Sequence, residues 1–512
     1  MRNGLTIAAL AMAIATAGAG AARAFEPVDS STFVKGFGAD QIMPHIEALD
    51  AIAKDNGGNR AVGTPGYRAS KDYVKDRLRA VGYAVELQKL SAFQFTERTW
   101  AVMARLSPSP KDFELLDDFR TMEFSGSDDV SARLILARGI EIPPAATTSS
   151  TSGCKPKDFS RRVEGKIALI QRGGCDFVVK ARNAEAAGAV GAIIFNEGQE
   201  GSQETLSGSL REPGVKIPVL GASYAVGEEL YDQVKSGVSV RMRVKVSADI
   251  EKVDTTNVLA DLEGEVKDRT VVVGAHLDSV AEGPGVNDNG SGTAAVLAIA
   301  ERFAKRQIKP RNTVRFAFWG AEEVGLVGST HYVDTLPAKE LRKIALNLNF
   351  DMLASPNFAA LVYDGDGSEG DAGPAGSDVI EKVFVDHFEQ RGLPSRPTLF
   401  DGRSDYFAFI ENGVPAGGLF SGAEEIKTKG QAKLFGGEAG EALDPCYHKA
   451  CDDIGNVSRE ALEQFGPAAA HAVYTFAQTR EDVRAAASAQ MARADMAAAA
   501  RNAPYRGPRL VR

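Results

Sequence analysis

From Asn257 to about Arg480 the chain alternates short apolar runs with stretches of helical period, and this alternation restricts the fold more than any other feature. Residues 258–262, 270–275, 314–319 and 345–350 read as strands, being runs of β-branched, aromatic and aliphatic residues bounded by turn chemistry. Between them, 290–305 and 377–391 carry apolar residues at helical spacing. Strands that are apolar on both sides need cover on both faces. The pattern therefore predicts an α/β fold, a mostly parallel mixed sheet with helices on both faces.

Several of these runs end on a side chain that binds metals. His276 closes the run 271–275, and Asp288 lies in the glycine- and asparagine-rich loop 285–290 that follows. Glu322 and Glu323 come just after 314–319, Asp351 directly follows 346–350, and His448 sits in Asp444-Pro445-Cys446-Tyr447-His448. Strands that finish at one edge of an open sheet deliver such residues into one crevice. Singly, each has an ordinary explanation: Asp288 as a turn and cap residue, Glu322-Glu323 as acids at a helix start, His448 as a surface histidine. Together, two histidines and three carboxylates are what two zinc ions need if one carboxylate bridges them. Asp288, with two oxygens and free loop geometry, is the natural bridge. Asp278 forms an H-x-D pair with His276 and is expected to fix its tautomer. Of the adjacent acids, one can ligate while the other takes a proton from the attacking water.

Other chemistries are excluded on composition and motif. A formal net charge of −9 gives no electrostatic case for nucleic acid or anionic lipid. There is no H-E-x-x-H, Walker A or G-x-S-x-G pattern, and the G-x-G-x-x-G match at 365–370 carries acids that would repel a pyrophosphate. The remaining histidines, His45, His331, His387 and His471, lie on helical patterns without carboxylate neighbours and read as structural.

Arg2, an apolar stretch from Leu5 to Ala17 and Ala22-Arg23-Ala24 read as a signal peptide over 1–24, with no membrane span expected in the mature chain. Export, to a periplasm or beyond, favours disulfides. Four cysteines allow three pairings, and proximity favours Cys154 with Cys175 and Cys446 with Cys451. The organisation expected is an N-terminal part of the main domain over 25–130, an inserted module over 131–248, the catalytic domain over 249–480 and an Ala- and Arg-rich tail over 481–512. Within the module, 143–153 reads as flexible linker, and one helix, 177–187, interrupts short strands.

Gly274-Ala275-His276-Leu277-Asp278, Gly285-Val286-Asn287-Asp288-Asn289-Gly290, Trp319-Gly320-Ala321-Glu322-Glu323, Asn349-Phe350-Asp351, Arg403-Ser404-Asp405 and Asp444-Pro445-Cys446-Tyr447-His448 closely resemble, in order and spacing, the secreted di-zinc aminopeptidases of the aminopeptidase S and aminopeptidase Y type. Asn56-Gly57-Gly58-Asn59-Arg60 resembles that family's N-terminal segment. Arg172-Gly173-Gly174-Cys175-Asp176-Phe177 with its surroundings is similar to a protease-associated domain, which implies a lid or substrate gate. The resemblance implies His276 and Asp351 on one zinc, Glu323 and His448 on the other, and Asp288 between them. It implies Glu322 as general acid/base, Tyr447 as oxyanion donor, and Arg403 near the pocket for the substrate's amino terminus. The expected reaction is removal of the N-terminal residue, by family resemblance a hydrophobic one such as leucine, from peptides with a free N-terminus. A carboxypeptidase, a binding protein that has lost its metals and a single-zinc cyclase share the architecture. The full ligand set and the lack of cations beyond Arg403 weigh against them.

Overall fold

The computed structural model describes residue 25, residues 28–199 and residues 202–486. The expected signal peptide lies outside the described residues, as does most of the 481–512 tail. Among the described residues no helix is long and apolar enough to cross a membrane.

Three of the expected strands form at nearly the expected bounds, and the fourth, 258–262, is the end of a much longer strand, Arg241–Leu262. Val266–His276 runs parallel to Asn312–Trp319 on one side and to Ile344–Phe350 on the other, and Ala416–Phe420 continues the parallel set. Antiparallel strands flank this group, Arg241–Leu262 at one end and Leu361–Tyr363 at the other. Val271, Val272 and Val273 are all buried, as a central strand covered on both faces requires. Helix Gly290–Lys305 provides one cover, packing Ala294, Leu297 and Phe303 among the core residues. Its first turn sits tight against the sheet: a Cβ on Gly292 would lie 2.2 Å from the Phe350 carbonyl oxygen. Only glycine lets the loop after the His276 strand approach the end of the Asp351 strand so closely.

Before the sheet come helices Ala39–Asp55 and Pro65–Ala80. The second is capped by Thr64, whose hydroxyl accepts the Tyr67 N–H, and is closed by Gly82 at φ +98°. His45 corrects one expectation, for it does have a carboxylate neighbour. Its Nε2 lies 3.8 Å from Glu301 and its Nδ1 2.7 Å from the Tyr73 hydroxyl, so it ties these helices to Gly290–Lys305. His387 and His471 stack at 4.7 Å, both buried.

A second unit is built on the parallel strands Ile167–Gln171, Gly191–Phe195 and Val219–Ala222. Alternate residues feed two cores, Leu169, Ile193 and Leu220 on one face and Ile170, Ile194 and Val219 on the other. The first core also takes Ala101, Met103, Phe113 and Phe119, from earlier in the chain than the module expected from sequence. Two further expectations change. Residues 143–153 are not a free linker at their distal end: Ser150 and Ser152 are buried, Ser150 donates to the Gly139 carbonyl and the Ser152 hydroxyl accepts the Gln171 N–H. Besides the expected Phe177–Ala186, which packs on the Ile170 face, a second helix, Tyr224–Lys235, packs on the Leu169 face.

The two units share one ribbon. Strands Val85–Ser107 and Arg241–Leu262 pair antiparallel from Val85↔Ala260 to Ser107↔Arg241. One end of Arg241–Leu262 pairs with Asn312–Trp319 in the catalytic sheet, and the other pairs with Asp128–Leu136 in the second unit.

Candidate metal centre

His276 and Trp319 are register partners at the ends of adjacent parallel strands, so the loops that follow them open at one edge. There the structure brings all five expected ligands together, every one buried. Asp288 is central: its Oδ1 lies 3.2 Å from His276 Nε2 and its Oδ2 lies 3.1 Å from His448 Nε2. Asp351 Oδ1 joins the first histidine at 3.2 Å, and Glu323 Oε2 joins the second at 3.1 Å. Glu322 stands slightly back, with Oε2 3.8 Å from His276 Nε2.

This donor set fits metal cations. His276 Nδ1 is 3.1 Å from the carbonyl oxygen of Asp278, which commits that nitrogen to donating and turns the Nε2 lone pair toward carboxylate oxygens. Acceptors facing acceptors at these distances need a positive charge between them. With protons as the only cations, burial opposes charging the histidines, yet the carboxylates overcome it. His448 is pushed up to about 10 by Glu323 and Asp288, and His276 is raised well above its usual value by Asp351 and Glu322. Burial, with Asp288 beside it, lifts Glu323 to about 7, and burial raises Glu322 well above the carboxylate range. Glu323 Oε1 has no hydrogen-bond partner. Four buried carboxylates and two imidazoles are what divalent ions such as zinc require.

The surrounding residues fix this geometry. Asp278 does more than the sequence suggests. Its carbonyl is the nearer partner of His276 Nδ1, at 3.1 Å against 3.9 Å for its carboxylate, and that carboxylate also accepts the backbone N–H of Glu322 at 3.1 Å and of Glu323 at 3.2 Å. Ala321, at φ +63°, turns the chain there, so the two acids diverge from a turn. Ser404 donates to Asp351 Oδ2 at 2.6 Å and leaves Oδ1 directed at His276.

Three other supports were assigned no role from the sequence. Asp452 accepts the N–H groups of Asn287 at 2.9 Å and Asp288 at 3.0 Å. Asn289 accepts from Gly292 and Met352 and donates to the Phe350 carbonyl, pinning the loop to the Asp351 strand. Arg60, wholly buried, donates to the carbonyls of Leu277, Pro284 and Gly285 and so clamps the His276 strand end to the Asp288 loop. Both disulfides form as proximity suggested, Cys154–Cys175 and Cys446–Cys451. The second closes the loop in which His448 adopts φ +56° and Asp452 follows directly.

The centre opens into a cavity of about 550 Å³, counting space open to solvent. Met352, Tyr363, Leu399 and Phe420 make an apolar wall. Tyr447 stacks on His448 with ring centroids 3.8 Å apart, and its hydroxyl accepts from Arg403 Nη2 at 3.1 Å. Arg403 also binds Glu424 at 3.1 Å.

The sequence pattern of peptidase family M28 matches residues 257–473, and that of the PA domain matches residues 130–230. An aminopeptidase of Pseudomonas aeruginosa is 45% identical over 430 residues, covering 83% of this chain and 78% of its own. Leucine aminopeptidase 2 of Trichophyton tonsurans is 40% identical over 442 residues, 86% of this chain and 84% of that one. Among solved structures, a zinc aminopeptidase from Bacillus subtilis superposes with a TM-score of 0.55 at 27% identity, covering 88% of this chain and 98% of its own.

Proposed function

Because the chain belongs to peptidase family M28 with an inserted PA domain, we propose that it is an exported aminopeptidase that holds two zinc ions and removes the first residue, preferably a hydrophobic one, from peptides with a free N-terminus. One observation carries it: the two oxygens of Asp288 address two separate histidines, at 3.2 and 3.1 Å. His276 and Asp351 would hold one ion, Glu323 and His448 the other, with Asp288 shared.

Zinc, when bound, supplies Lewis acidity that makes water nucleophilic at neutral pH and polarises a carbonyl oxygen. Glu322, which is not among the closest ligands, takes the proton of the attacking water and passes it to the departing nitrogen. Tyr447 accepts from Arg403, which leaves its own proton free to donate to the developing oxyanion. With Asp351 given to the metals, the carboxylates of Glu322, Asp401 and Glu425 still line the cavity against Arg403, itself paired with Glu424 and Glu425. Such an acidic lining favours a substrate ammonium over a substrate carboxylate, which argues for aminopeptidase over carboxypeptidase action. The apolar wall of Met352, Tyr363, Leu399 and Phe420 suits a hydrophobic first side chain. Two disulfides support an oxidising destination.

The test follows one peptide, its N-acetylated form and its C-amidated form by mass spectrometry, each with and without a chelator. Stepwise loss from the N-terminus, abolished by acetylation and by chelation but indifferent to amidation, is expected. Loss from the C-terminus, or none from a zinc-loaded sample, would refute the proposal.

A further inference from the structure

A second cleft, of about 1130 Å³ including space open to solvent, lies between the two units. Val62, Val280 and Val324 of the catalytic unit form one wall, and Trp100, Leu115 and Leu116 face them from the other side. Glu323 lines both this cleft and the metal cavity, so the two adjoin at that residue.

We propose that this cleft binds the part of the substrate that follows the scissile bond, so that the enzyme acts preferentially on peptides of several residues over dipeptides. The inference rests on the aminopeptidase reading of the metal centre. Direction comes from chemistry. A carboxylate that hands a proton to the departing nitrogen must stand on the leaving side of the scissile bond. Glu322 is that carboxylate, and the chain from it runs through Glu323 into Val324, a wall of the cleft. The apolar wall for the first side chain is made by other elements, at 352–363 and 399–420. With the first residue seated there, the remaining peptide leaves past 322–324 and enters the space between the units.

Trp100 supplies the anchor. It is 60% exposed, against 0% for Trp319 in the core. It lies where the ribbon's ladder slips register, between Glu97 and Thr99 and again between Thr99 and Val102. Slips of this kind bend a strand and re-aim its side chains. A large apolar ring beside a site is the type of residue that gains most from covering by a ligand.

The experiment compares kcat/KM for a leucyl dipeptide and for a hexapeptide with the same first two residues, using the zinc-loaded full chain. Wild type, Trp100→Ala and Ser207→Trp are measured, the last filling the cleft from the second unit. The hexapeptide is expected to be the better substrate for wild type by about tenfold, with both variants losing about tenfold on it. Their dipeptide rates should stay within about twofold of wild type, which also reports that they fold. Equal wild-type rates on the two substrates, an unchanged ratio in the variants, or a parallel fall on both substrates would overturn the cleft's role. No hydrolysis of either substrate by wild type would instead overturn the aminopeptidase reading and this inference with it.

Discussion

Replacing Asp452 by alanine should detach the loop that carries Asp288. The buried carboxylate takes three donors: the N–H of Asn287 at 2.9 Å, the N–H of Asp288 at 3.0 Å and the Asn456 side-chain amide at 3.0 Å. Each buried donor left without an acceptor costs about 1–3 kcal/mol, and water entering the vacated space recovers part of that. A loss of about 3 to 5 kcal/mol follows. The cost should fall on metal affinity too, because removing an outer partner of a ligand typically weakens binding about 10- to 100-fold. Asp452→Asn keeps one acceptor oxygen but sets an amide donor against a backbone N–H, so it should fall between. With two units the chain need not unfold in one step, so the primary assay is zinc competition against a chromophoric chelator. Far-UV circular dichroism on the same samples checks that the variants are folded. If folded Asp452→Ala holds zinc as tightly as wild type, the geometry of Asp288 is set elsewhere and the reasoning fails.

Three further outcomes are expected. Glu322→Gln should lower kcat by about 10²- to 10⁴-fold with zinc content unchanged by elemental analysis; loss of zinc in step with activity would make Glu322 a ligand instead. Replacing both Cys446 and Cys451 by serine opens a small loop, costs about 2 kcal/mol by chain entropy and should speed zinc loss on dialysis. The Cys154/Cys175 pair, in the second unit, should leave zinc retention unchanged, and equal effects from the two pairs would contradict the bracing role. Glu123, buried in the second unit, has its carboxyl pushed up to about 7 by burial, with Ser209 opposing. A raised folded value means its stabilising contribution is complete below about pH 4.5 and is lost as pH climbs through 7, by about 3 kcal/mol in all. Urea midpoints at pH 5 and pH 8 should therefore show Glu123→Gln less sensitive to pH than wild type; identical slopes would mean that Glu123 titrates as if exposed.

What could be read from the sequence divides along a physical line. His276 and Asp351 were legible because each ends an apolar run, and a parallel sheet puts such ends at one edge. His448 and Asp288 sit in loops, where chemistry and family resemblance, not periodicity, marked them. Arg60 was visible only as part of a family-like segment and Asp452 not at all, and the role of neither could be read, since each acts on backbone groups more than 150 positions away. The H-x-D spacing made the pairing of Asp278 with His276 legible, 3.9 Å between carboxylate and Nδ1, but not the two N–H groups of the Glu322 turn that the same carboxylate accepts. Helix Tyr224–Lys235 was hidden by Gly227, which reads as a breaker. A Cβ at that position would lie 2.0 Å from the Phe195 ring, so the glycine is there for packing and interrupts the apolar pattern that would have revealed the helix. Residues 143–153 have linker composition, but composition does not say where hydroxyls and carbonyls find partners, and here several find them inside the fold.

The shared ribbon explains why a second unit can sit beside the metal centre and still leave it open. Strand Arg241–Leu262 is part of the catalytic sheet at Val258–Leu262 pairings and part of the second unit at its first residues, so no loop joins the two. The spacing between the units is therefore set by ladder register, which a one-residue slip would change by turning every side chain to the opposite face. Bending of the ribbon is least costly where its ladder is already interrupted, between Glu97 and Val102. Gln94, Phe95, Thr96, Glu97 and Trp100 of that same stretch line the cleft. The segment most able to flex is thus the one that would meet a departing peptide, while the candidate metal ligands, braced by Arg60, Asp278 and Asp452, stand on the rigid side of the boundary.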